Sequence, residues 1–447
     1  MSYGADVGTF LPHRVDEGYG LSLEGIERCL SQHSPKLLVA VDCGTTSISE
    51  AEWLRERGVD LIILDHHEAS PDGRPQCHAL VNPKAGIAGQ GAEFSYLCSA
   101  GVVFKLAHAL VKTRPIDGFD LRDYLDVVAV GTVADIVPLV DENRALVRRG
   151  LLELARTRNA GLAALTEVSG INPPYGALDI GFRIGPRLNA AGRLDTAEAA
   201  LDLLLCEDPS QARVLAEELD ARNRERQEVE RRTAEEAMAM MASGGAGDCS
   251  HGIVLGKRGW HPGVVGIVAA RVARKFYRPT FIVAIDEDSG VGKGSGRSIP
   301  GISLVSAINA GRDHLLGGGG HDMAAGISLS EDQISPFRKH LNAHVREHAD
   351  PEDLRPLLEL DAECDLGELN LPLLDTYRDL EPFGTSNPEP VLLARGVTPT
   401  NEPRLLKEKH YRLTLRQGGS VCDAIYFGGA EHGLPPPPWD VAFTVLR

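Results

Sequence analysis

Short apolar runs that end abruptly in polar residues mark the first third of the chain. One spans Leu61–His67 (LIILDHH), where four apolar residues precede an acid and two histidines. The run is too short for a helix of its own and is rich in β-branched residues, so it predicts a buried parallel strand. A second run, Leu37–Gly44 (LLVAVDCG), ends in Asp42 and a glycine. Because ligands bind at the carboxyl ends of strands in open α/β sheets, both ends carry candidate site residues.

A third acid, Asp135, lies inside the apolar run Val127–Leu139 (VVAVGTVADIVPL), which predicts another strand end. Burying a carboxylate among aliphatic residues is costly unless it is paired or bound to a metal. One such acid is equally consistent with an N-cap or a satisfied buried carboxylate. Three acid-bearing strand ends favour a metal centre of Asp42, Asp65–His67 and Asp135. Aspartate and histidine suit Mn, Fe or Zn better than Ca, and carboxylates that bridge two divalent ions serve in-line attack of water on a phosphate ester.

The segments between these runs carry helical patterns, which together predict an α/β fold. Residues 45–60 form a helix capped at Thr46 or Ser47 and ended by Gly58. With its flanking strands, this helix makes a right-handed βαβ unit on a parallel sheet. Further helices are predicted over residues 23–30, 95–110 and, as a pair, 144–168.

The longest helical pattern is Asp208–Met241, with Asp208 as its cap and Pro209 in its first turn. Its middle, DARNRERQEVERR, is polar nearly all round, which is typical of a helix that bridges two domains through solvent. A Ser-Gly-Gly-Ala-Gly run over residues 243–247 follows, and it predicts a domain boundary.

A second α/β domain is predicted over residues 251–346, and it contains two glycine-rich loops. In GKGSGRSIPG, Ser295 and Arg297 lie among glycines, so backbone amides and a guanidinium could meet one phosphate. In LLGGGGHDMAAGISL, His321 is a candidate substrate contact, and the alternative is a loop or N-cap histidine.

Three arginines, Arg183, Arg187 and Arg193, surround small residues and Asn189 in the stretch Asp179–Asp195. Small residues permit close backbone approach, and guanidinium groups match phosphate oxygens. The stretch is therefore a candidate wall for a nucleic-acid backbone, and the alternative is a surface-exposed arginine loop.

Composition narrows the class of protein. The 447 residues are 43% hydrophobic and 24% charged, and no apolar run approaches the roughly 20 residues that span a bilayer. The formal charge of −17 argues against a protein that coats nucleic acid nonspecifically, although it allows a local basic groove. The 8 cysteines form no CxxC pair, and MSYGADVGTF lacks the features of a signal peptide, so we expect a cytoplasmic protein.

The motifs together resemble a known family over essentially the whole chain. The VDCG, DHH and GTVADIVPL stretches are similar to motifs of the DHH phosphoesterase superfamily, and GGHDMAAG resembles the DHHA1 signature. RLNAAGR, PHRVDEGYG and EPFGTSNPEP resemble the RecJ family of bacterial single-stranded-DNA-specific exonucleases. The resemblance implies an α/β fold class, in which a parallel-sheet DHH domain is joined by a long helix to a smaller α/β DHHA1 domain, followed by a partial C-terminal OB-like β-barrel.

The implied domains are residues 1–205 (DHH), 206–246 (connecting helix), 247–347 (DHHA1) and 348–447 (OB-like, with short strands from HYRLTLRQ, SVCDAIYFGG and DVAFTVLR). A five-stranded barrel would need a closing strand after Arg447. Family members also carry an earlier strand ending in Asp-x-Asp-Gly, which supplies metal ligands. Asp6 and Asp16 have no apolar strand ahead of them, so we expect a chain that begins after that motif and has an incomplete metal centre.

The resemblance implies a 5′-to-3′ exonuclease of DNA repair and recombination that uses a metal-activated water to release nucleotide monophosphates from single-stranded DNA. The implied cofactor is Mn²⁺ or Mg²⁺, two ions in an intact site. The implied metal ligands are Asp42, His66 and Asp135. The implied catalytic residues are Asp65, His66, His67 and Asp135, with His67 on the scissile phosphate and Asp65 orienting or ligating. The implied substrate contacts are His67, Arg187, Asn189, Arg193, Ser295, Arg297 and His321.

Two other functions are consistent with these patterns. One is a DHH phosphodiesterase for very short RNA or cyclic dinucleotides, against which the long helix and the OB-like segment argue. The other is a non-catalytic remnant that binds single strands, which the absent Asp-x-Asp motif favours. Single-stranded DNA is the expected partner, a helicase and a single-strand-binding protein are candidate partners, and no membrane is expected.

Overall fold

The structure is a computed structural model that describes residues 3–12, 20–70, 72–86, 91–194, 197–244 and 247–446, without the side chains of residues 193–194. The PHRVDEGYG stretch and Asp16 fall largely or wholly outside the described residues. The chain divides into two compact units. Unit 1 comprises Met1–Arg158, Gly170–Gly185 and Leu358–Arg447, and unit 2 comprises Asn159–Ser169 and Pro186–Leu357.

The N-terminal part of unit 1 alternates strands and helices before becoming helical. Its elements are α1 (Leu23–His33), β1 (Leu37–Val41), α2 (Ile48–Glu56), β2 (Asp60–Leu64), β3 (Ala79–Val81), α3 (Ser99–Thr113), α4 (Leu125–Ala134) and α5 (Asp141–Leu154). After α6 (Ala160–Ser169) of unit 2, the chain forms α7 (Ala177–Asp179), a π-helical turn (Ile180–Ile184) and α8 (Gly185–Leu194). The C-terminal elements of unit 1 are β9 (Ala362–Glu363), α14 (Leu371–Arg378), β10 (Leu392–Pro399), β11 (Arg404–Leu406), β12 (His410–Gln417), β13 (Ser420–Tyr426) and β14 (Trp439–Phe443).

Unit 2 joins helices to a mixed sheet. Its remaining elements are α9 (Glu198–Leu205), α10 (Pro209–Ala242), β4 (Ile253–Arg258), α11 (Val265–Phe276), β5 (Thr280–Ile285), β6 (Val291–Arg297), α12 (Leu304–Ala310), β7 (Gly317–Gly320), β8 (Ala324–Ser330) and α13 (Ile334–His348). No helix among the described residues is both long and apolar enough to cross a membrane.

The first sheet of unit 1 is parallel, as the βαβ pattern predicts. Its strands lie in the order β1-β2-β3, and Ala40 is in register with Ile63. These two residues share a buried core with Ile26 of α1 and Leu54 of α2. The apolar runs therefore become buried strands that align the polar residues following them at one edge of the sheet.

The prediction that Val127–Leu139 is a strand end is wrong. The run forms helix α4, and Asp135 is its C-cap. The helix is buried on nearly every side, and it packs against α3 and most extensively against α5. Because an apolar run buried all round has neither a period of two nor a period of 3.6, its pattern cannot distinguish a strand from a helix.

The crossing of α4 and α5 leaves no room for a side chain at Gly150. A Cβ atom placed there would lie 2.2 Å from the carbonyl oxygen of Leu125 and 2.5 Å from Cβ of Ala129. We expect Gly150→Ala to lower the free energy of unfolding by about 1–3 kcal/mol, because an overpacked helix crossing must separate. Urea unfolding followed by circular dichroism measures the loss. Gly181→Ala is the control, because its Cβ would meet only Val133 at 3.9 Å, and an equal loss there would contradict the prediction.

Helix α10 begins as predicted, because the side chain of Asp208 accepts a hydrogen bond from the backbone N–H of Ser210. Most of its polar middle is exposed, but the expectation that this stretch faces solvent nearly all round is wrong for one side of the helix. Asp220, Asn223 and Arg226 are buried there, and the Arg226 guanidinium donates to Asn223 and to Glu230. Most polar groups of these side chains have hydrogen-bond partners, so they can lie in the interior of unit 2, although Nε of Arg226 has none among the described residues.

The first glycine-rich segment of unit 2 is not a loop. It forms β6, a central strand of the sheet β4-β5-β6-β8-β7. A Cβ atom on Gly294 would lie 2.9 Å from Ile327, and one on Gly296 would lie 2.4 Å from Phe281. The alternating glycines therefore make room for large core side chains on one face of the strand. Ser295 and Arg297 lie on its opposite face.

The C-terminal strands of unit 1 form a six-stranded sheet around a separate core. The order is β11-β12-β10-β14, with β13 beside β12 and β9 beside β10. Ala394, Val397, Leu413 and Leu415 supply most of its buried apolar surface. The three predicted C-terminal strands are thus confirmed as β12, β13 and β14. Together with the parallel sheet of unit 1 and the mixed sheet of unit 2, they establish the α/β fold class.

Candidate metal centre

Two strand ends carry the acids that the sequence singles out. The backbone N–H of Asp42, directly after β1, donates to Leu64, and that of Asp65, directly after β2, donates to Val81. Asp42 has a φ of 66°, in the left-handed region that costs most residues roughly 1–2 kcal/mol. Such strain persists only where the surrounding structure enforces it, which is common at functional sites.

His66 lies between two carboxylates. Its Nε2 atom is 3.4 Å from Oδ1 of Asp42 and 3.3 Å from Oδ2 of Asp135. The histidine is 8% exposed, and Nε2 is buried without a hydrogen bond, because neither carboxylate is aligned to form one. Ligand atoms of Asp42, His66 and His67 all lie within 4.8 Å of one another. An orphaned imidazole nitrogen between carboxylates fits a divalent cation, which would bond to both kinds of donor.

The electrostatics at Asp135 favour a cation. Burial raises the pKa of its carboxyl group, and the charge of Asp42 raises it further, whereas His66 and His67 partly offset the effect. Two carboxylates that face the same histidine repel each other in the absence of a positive charge. A bound cation relieves this repulsion, so the residues present fit a metal site.

Asp65 is buried next to His66 and His67 and supports both through hydrogen bonds. It is 1% exposed and accepts hydrogen bonds from the backbone N–H groups of Thr45 (3.1 Å), His66 (2.8 Å) and His67 (3.3 Å), and it pairs with Nδ1 of His67 at 2.7 Å. Burial by itself would raise its pKa, but the hydrogen bonds, chiefly those from His67 and Thr45, hold the pKa well below its usual range. Asp65 in turn raises the pKa of His67. The contact with Nδ1 therefore fixes the ring of His67 against Asp65.

Asn82 belongs to the same network, and the sequence patterns did not identify it. Its buried side chain donates 2.8 Å hydrogen bonds to Oγ1 of Thr45 and to the carbonyl oxygen of His67. Asn82 directly follows β3, as Asp42 follows β1 and Asp65 follows β2. A polar residue at the end of a third parallel strand was the available indication, but HALVN is a short and weakly apolar run.

Ser295 and Arg297 lie together in unit 2. Nη1 of Arg297 donates to Oγ of Ser295 at 3.1 Å. A Cβ atom on Gly266, in the first turn of α11, would lie 3.0 Å from Oγ of Ser295 and 3.3 Å from Nη2 of Arg297. Burial lowers the pKa of Arg297, and no carboxylate among the described residues pairs with it. His321 is exposed in the turn between β7 and β8, so it is not a helix N-cap, and its contact with the substrate stays a prediction.

The predicted arginine stretch is helical, so the alternative of an arginine loop is wrong. Arg187 of α8 is largely buried, and its guanidinium pairs with Asp220 of α10 at 2.8 Å. Asn189 is exposed on the same helix. The side chain of Arg193 lies outside the described residues.

Three family models match the chain. They are the "DHH family, N-terminal domain" over residues 2–132, the "DHHA1 domain" over residues 250–347 and the "RecJ OB domain" over residues 360–446. The crystal structure of RecJ from Thermus thermophilus in complex with Mn²⁺ superposes with a TM-score of 0.78 and 34% identity, covering 94% of this chain and 60% of that one.

Curated relatives match nearly the whole chain. The single-stranded-DNA-specific exonuclease RecJ of Bacillus subtilis is 37% identical over 436 residues, which cover 97% of this chain and 54% of the relative. The Escherichia coli protein of the same name is 36% identical over 442 residues, covering 95% of this chain and 75% of the relative. This chain therefore spans about half the length of the first relative and three quarters of the second. On this combination of domains, identity and fold, the chain belongs to the RecJ family.

Proposed function

We propose that this protein is a metal-dependent exonuclease that hydrolyses single-stranded DNA in the 5′-to-3′ direction. The observation that carries the proposal is the orphaned Nε2 of His66 between Asp42 and Asp135. The names of the relatives, single-stranded-DNA-specific exonucleases, support the substrate and the reaction. The Mn²⁺ in the related Thermus thermophilus structure supports the class of cofactor.

In this proposal, Asp42, His66 and Asp135 hold Mn²⁺ or Mg²⁺. A divalent ion bound there supplies a Lewis acid that polarises the phosphate and eases deprotonation of water. Asp65 raises the pKa of His67, which favours the protonated ring, and fixes the orientation of that ring through the 2.7 Å contact with Nδ1. His67 then donates a hydrogen bond to the scissile phosphate and stabilises the negative charge that develops on it.

Ser295 and Arg297 are proposed to hold a phosphate of the strand. A half-buried guanidinium with no acidic partner among the described residues favours an anion, and Gly266 in the first turn of α11 lies beside it. The exposed His321 and Asn189, together with Arg193, are proposed as further contacts with the strand. The ion pair of Arg187 with Asp220 supports a role in fixing α8, and contact of Arg187 with the DNA backbone stays a prediction.

The solvent face of the C-terminal sheet supports binding of single strands. Arg404 and Arg416 are exposed on the neighbouring strands β11 and β12, whereas the exposed Arg412 between them pairs with Asp423 at 2.9 Å. We expect Arg416→Gln to weaken binding of oligo(dT) and to reduce the slope of log K against log salt by about 0.7, which is one phosphate contact. Fluorescence anisotropy between low and moderate salt measures both. Arg395→Gln is the control, because Glu363 and Asp440 already neutralise that arginine, and an equal change there would contradict the assignment.

The experiment that tests the function uses the purified chain and single-stranded DNA labelled at either end, with and without Mn²⁺. We expect a 5′ label to appear as mononucleotide from the first time point and a 3′ label to appear in a descending ladder. Faster cleavage of dinucleotides than of long strands would replace the proposal with a short-substrate phosphodiesterase. Retention of DNA without cleavage would replace it with a binding protein. A helicase, a single-strand-binding protein, a cytoplasmic location and a role in repair and recombination stay predictions.

A further inference from the structure

We propose that the loop Leu380–Pro388 of the C-terminal part of unit 1 is a positioning element for the metal ligand Asp135, acting through Leu139. The inference rests on the metal centre proposed above. In this proposal, a contact between the C-terminal segment and the residues that follow α4 keeps Asp135 in place for metal binding.

The chain after Asp135 is strained. Ile136 has a φ of 60°, a conformation in which a β-branched residue is a genuine outlier. Its side chain is 73% exposed, so its own packing does not hold it there. Asp141, at the start of α5, also has a positive φ of 44°. Segments in such conformations relax unless neighbouring structure fixes them, and here a relaxation would move Asp135.

The loop fixes the segment after Asp135 through contacts with Leu139. The backbone N–H of Leu139 donates a 2.7 Å hydrogen bond to the carbonyl oxygen of Thr385. The Leu139 side chain is 2% exposed, and a Cβ atom on Gly384 would lie 2.7 Å from its Cδ1 atom. The glycine therefore permits a close approach of the loop to a buried side chain four residues beyond the metal ligand.

The loop is rigid enough to act as a support. Gly384 and Asn387 exchange backbone hydrogen bonds of 2.9 and 3.1 Å. The side chain of Asn387 donates to the carbonyl oxygens of Leu380 (3.0 Å) and Pro382 (2.8 Å). The Asn387 side chain thus links the start of the loop to the turn that contains Thr385.

Helix α5 is fixed to the same region. Arg144 donates to the backbone carbonyl of Asp379 at 2.7 Å, and Arg148 pairs with its carboxylate at 3.1 Å. The buried side chain of Asn143 donates to the carbonyl oxygen of Pro138 at 2.9 Å. The strained residues are therefore held from α5 on one side and from the loop on the other.

Gly384→Ala and Asn387→Ala test the inference. The first pushes Leu139 away from the loop, and the second frees the turn. Partners that orient metal ligands typically contribute 10–100-fold to metal affinity, so we expect each variant to raise the Kd for Mn²⁺ about tenfold or more. Loss of the free Mn²⁺ signal in electron paramagnetic resonance measures Kd without requiring turnover. At saturating Mn²⁺ we expect kcat to recover and KM for the oligonucleotide to stay unchanged.

Matched controls separate positioning from loss of stability. Gly419→Ala adds a methyl group in the turn between β12 and β13, where nothing lies within 4 Å, and Asn370→Ala removes the N-cap of α14. Both should keep the wild-type Kd. Unchanged Kd in both loop variants, with a weakened Kd in Asp135→Asn, would overturn the inference and leave the exonuclease proposal standing. Weakened Mn²⁺ binding in the loop variants of a chain that cleaves no DNA would support the inference and overturn the exonuclease. A wild-type chain that binds no Mn²⁺ would overturn both.

Discussion

Asp135→Asn is expected to abolish Mn²⁺-dependent cleavage of single-stranded DNA, with a loss of about 1,000-fold or more, since a metal site contributes several kcal/mol of transition-state stabilisation. The amide removes one of the two negative charges that face Nε2 of His66. It also removes an anionic oxygen that a hard divalent cation prefers. Single-turnover cleavage at several Mn²⁺ concentrations measures the loss.

The control for this substitution is Asp60→Asn. Asp60 is exposed at the start of β2, the strand that leads to His66, but it lies at the opposite end from the metal centre. The Asp60→Asn variant should cleave single-stranded DNA at the wild-type rate. Wild-type turnover by Asp135→Asn at low Mn²⁺ concentration would contradict the assignment of Asp135 as a ligand.

Asp65→Asn should be the most destabilising of the substitutions at the centre. The carboxylate is 1% exposed and accepts from three backbone N–H groups and from His67. An asparagine has one acceptor oxygen and turns an NH₂ group toward donors, so several buried N–H groups lose their partner. We expect a loss of about 3–5 kcal/mol in the free energy of unfolding, the usual cost of breaking a buried charged pair. Cleavage should also fall, because His67 loses the group that orients it.

Comparison with Asp42→Asn separates the two roles. Asp42 has a half-exposed side chain whose contact is with His66. Its substitution should abolish Mn²⁺ binding yet leave the urea midpoint near that of the wild type. Asp65→Asn should lower the midpoint even when no metal is present. Equal midpoints for the two variants would show that Asp65 is not the structural support of the centre.

Local patterns in the sequence determined the strands and caps that approach the centre. The four-residue run before Asp65 and the run before Asp42 predict β2 and β1, and the Asp208–Pro209 pair predicts the start of α10. These predictions succeed because strand burial and helix capping depend on residues only a few positions apart. They also placed Asp42, Asp65, His66 and His67 correctly at strand ends, but not Asp135, which ends helix α4.

The hydrophobic pattern did not predict the correct element where a segment is buried on all sides, because such a segment shows neither the strand nor the helix period. The apolar run that contains Asp135 forms helix α4, because its faces pack against both α3 and α5. The glycines of β6 were assigned to a loop, although they make room for Phe281 and Val283 beneath a regular strand. In each case the neighbour that decides the outcome lies outside the local window of the sequence.

The sequence by itself thus determined that Asp42, Asp65, His66 and His67 follow two neighbouring parallel strands. Only the tertiary structure decided that Asp65 supports His67 from behind, that Asn82 completes this network, and that the loop at Thr385 fixes the segment after Asp135. The physical reason is that hydrogen bonds between distant segments depend on how whole elements pack. Their donors and acceptors are ordinary side-chain and backbone groups that leave no periodic pattern in the chain.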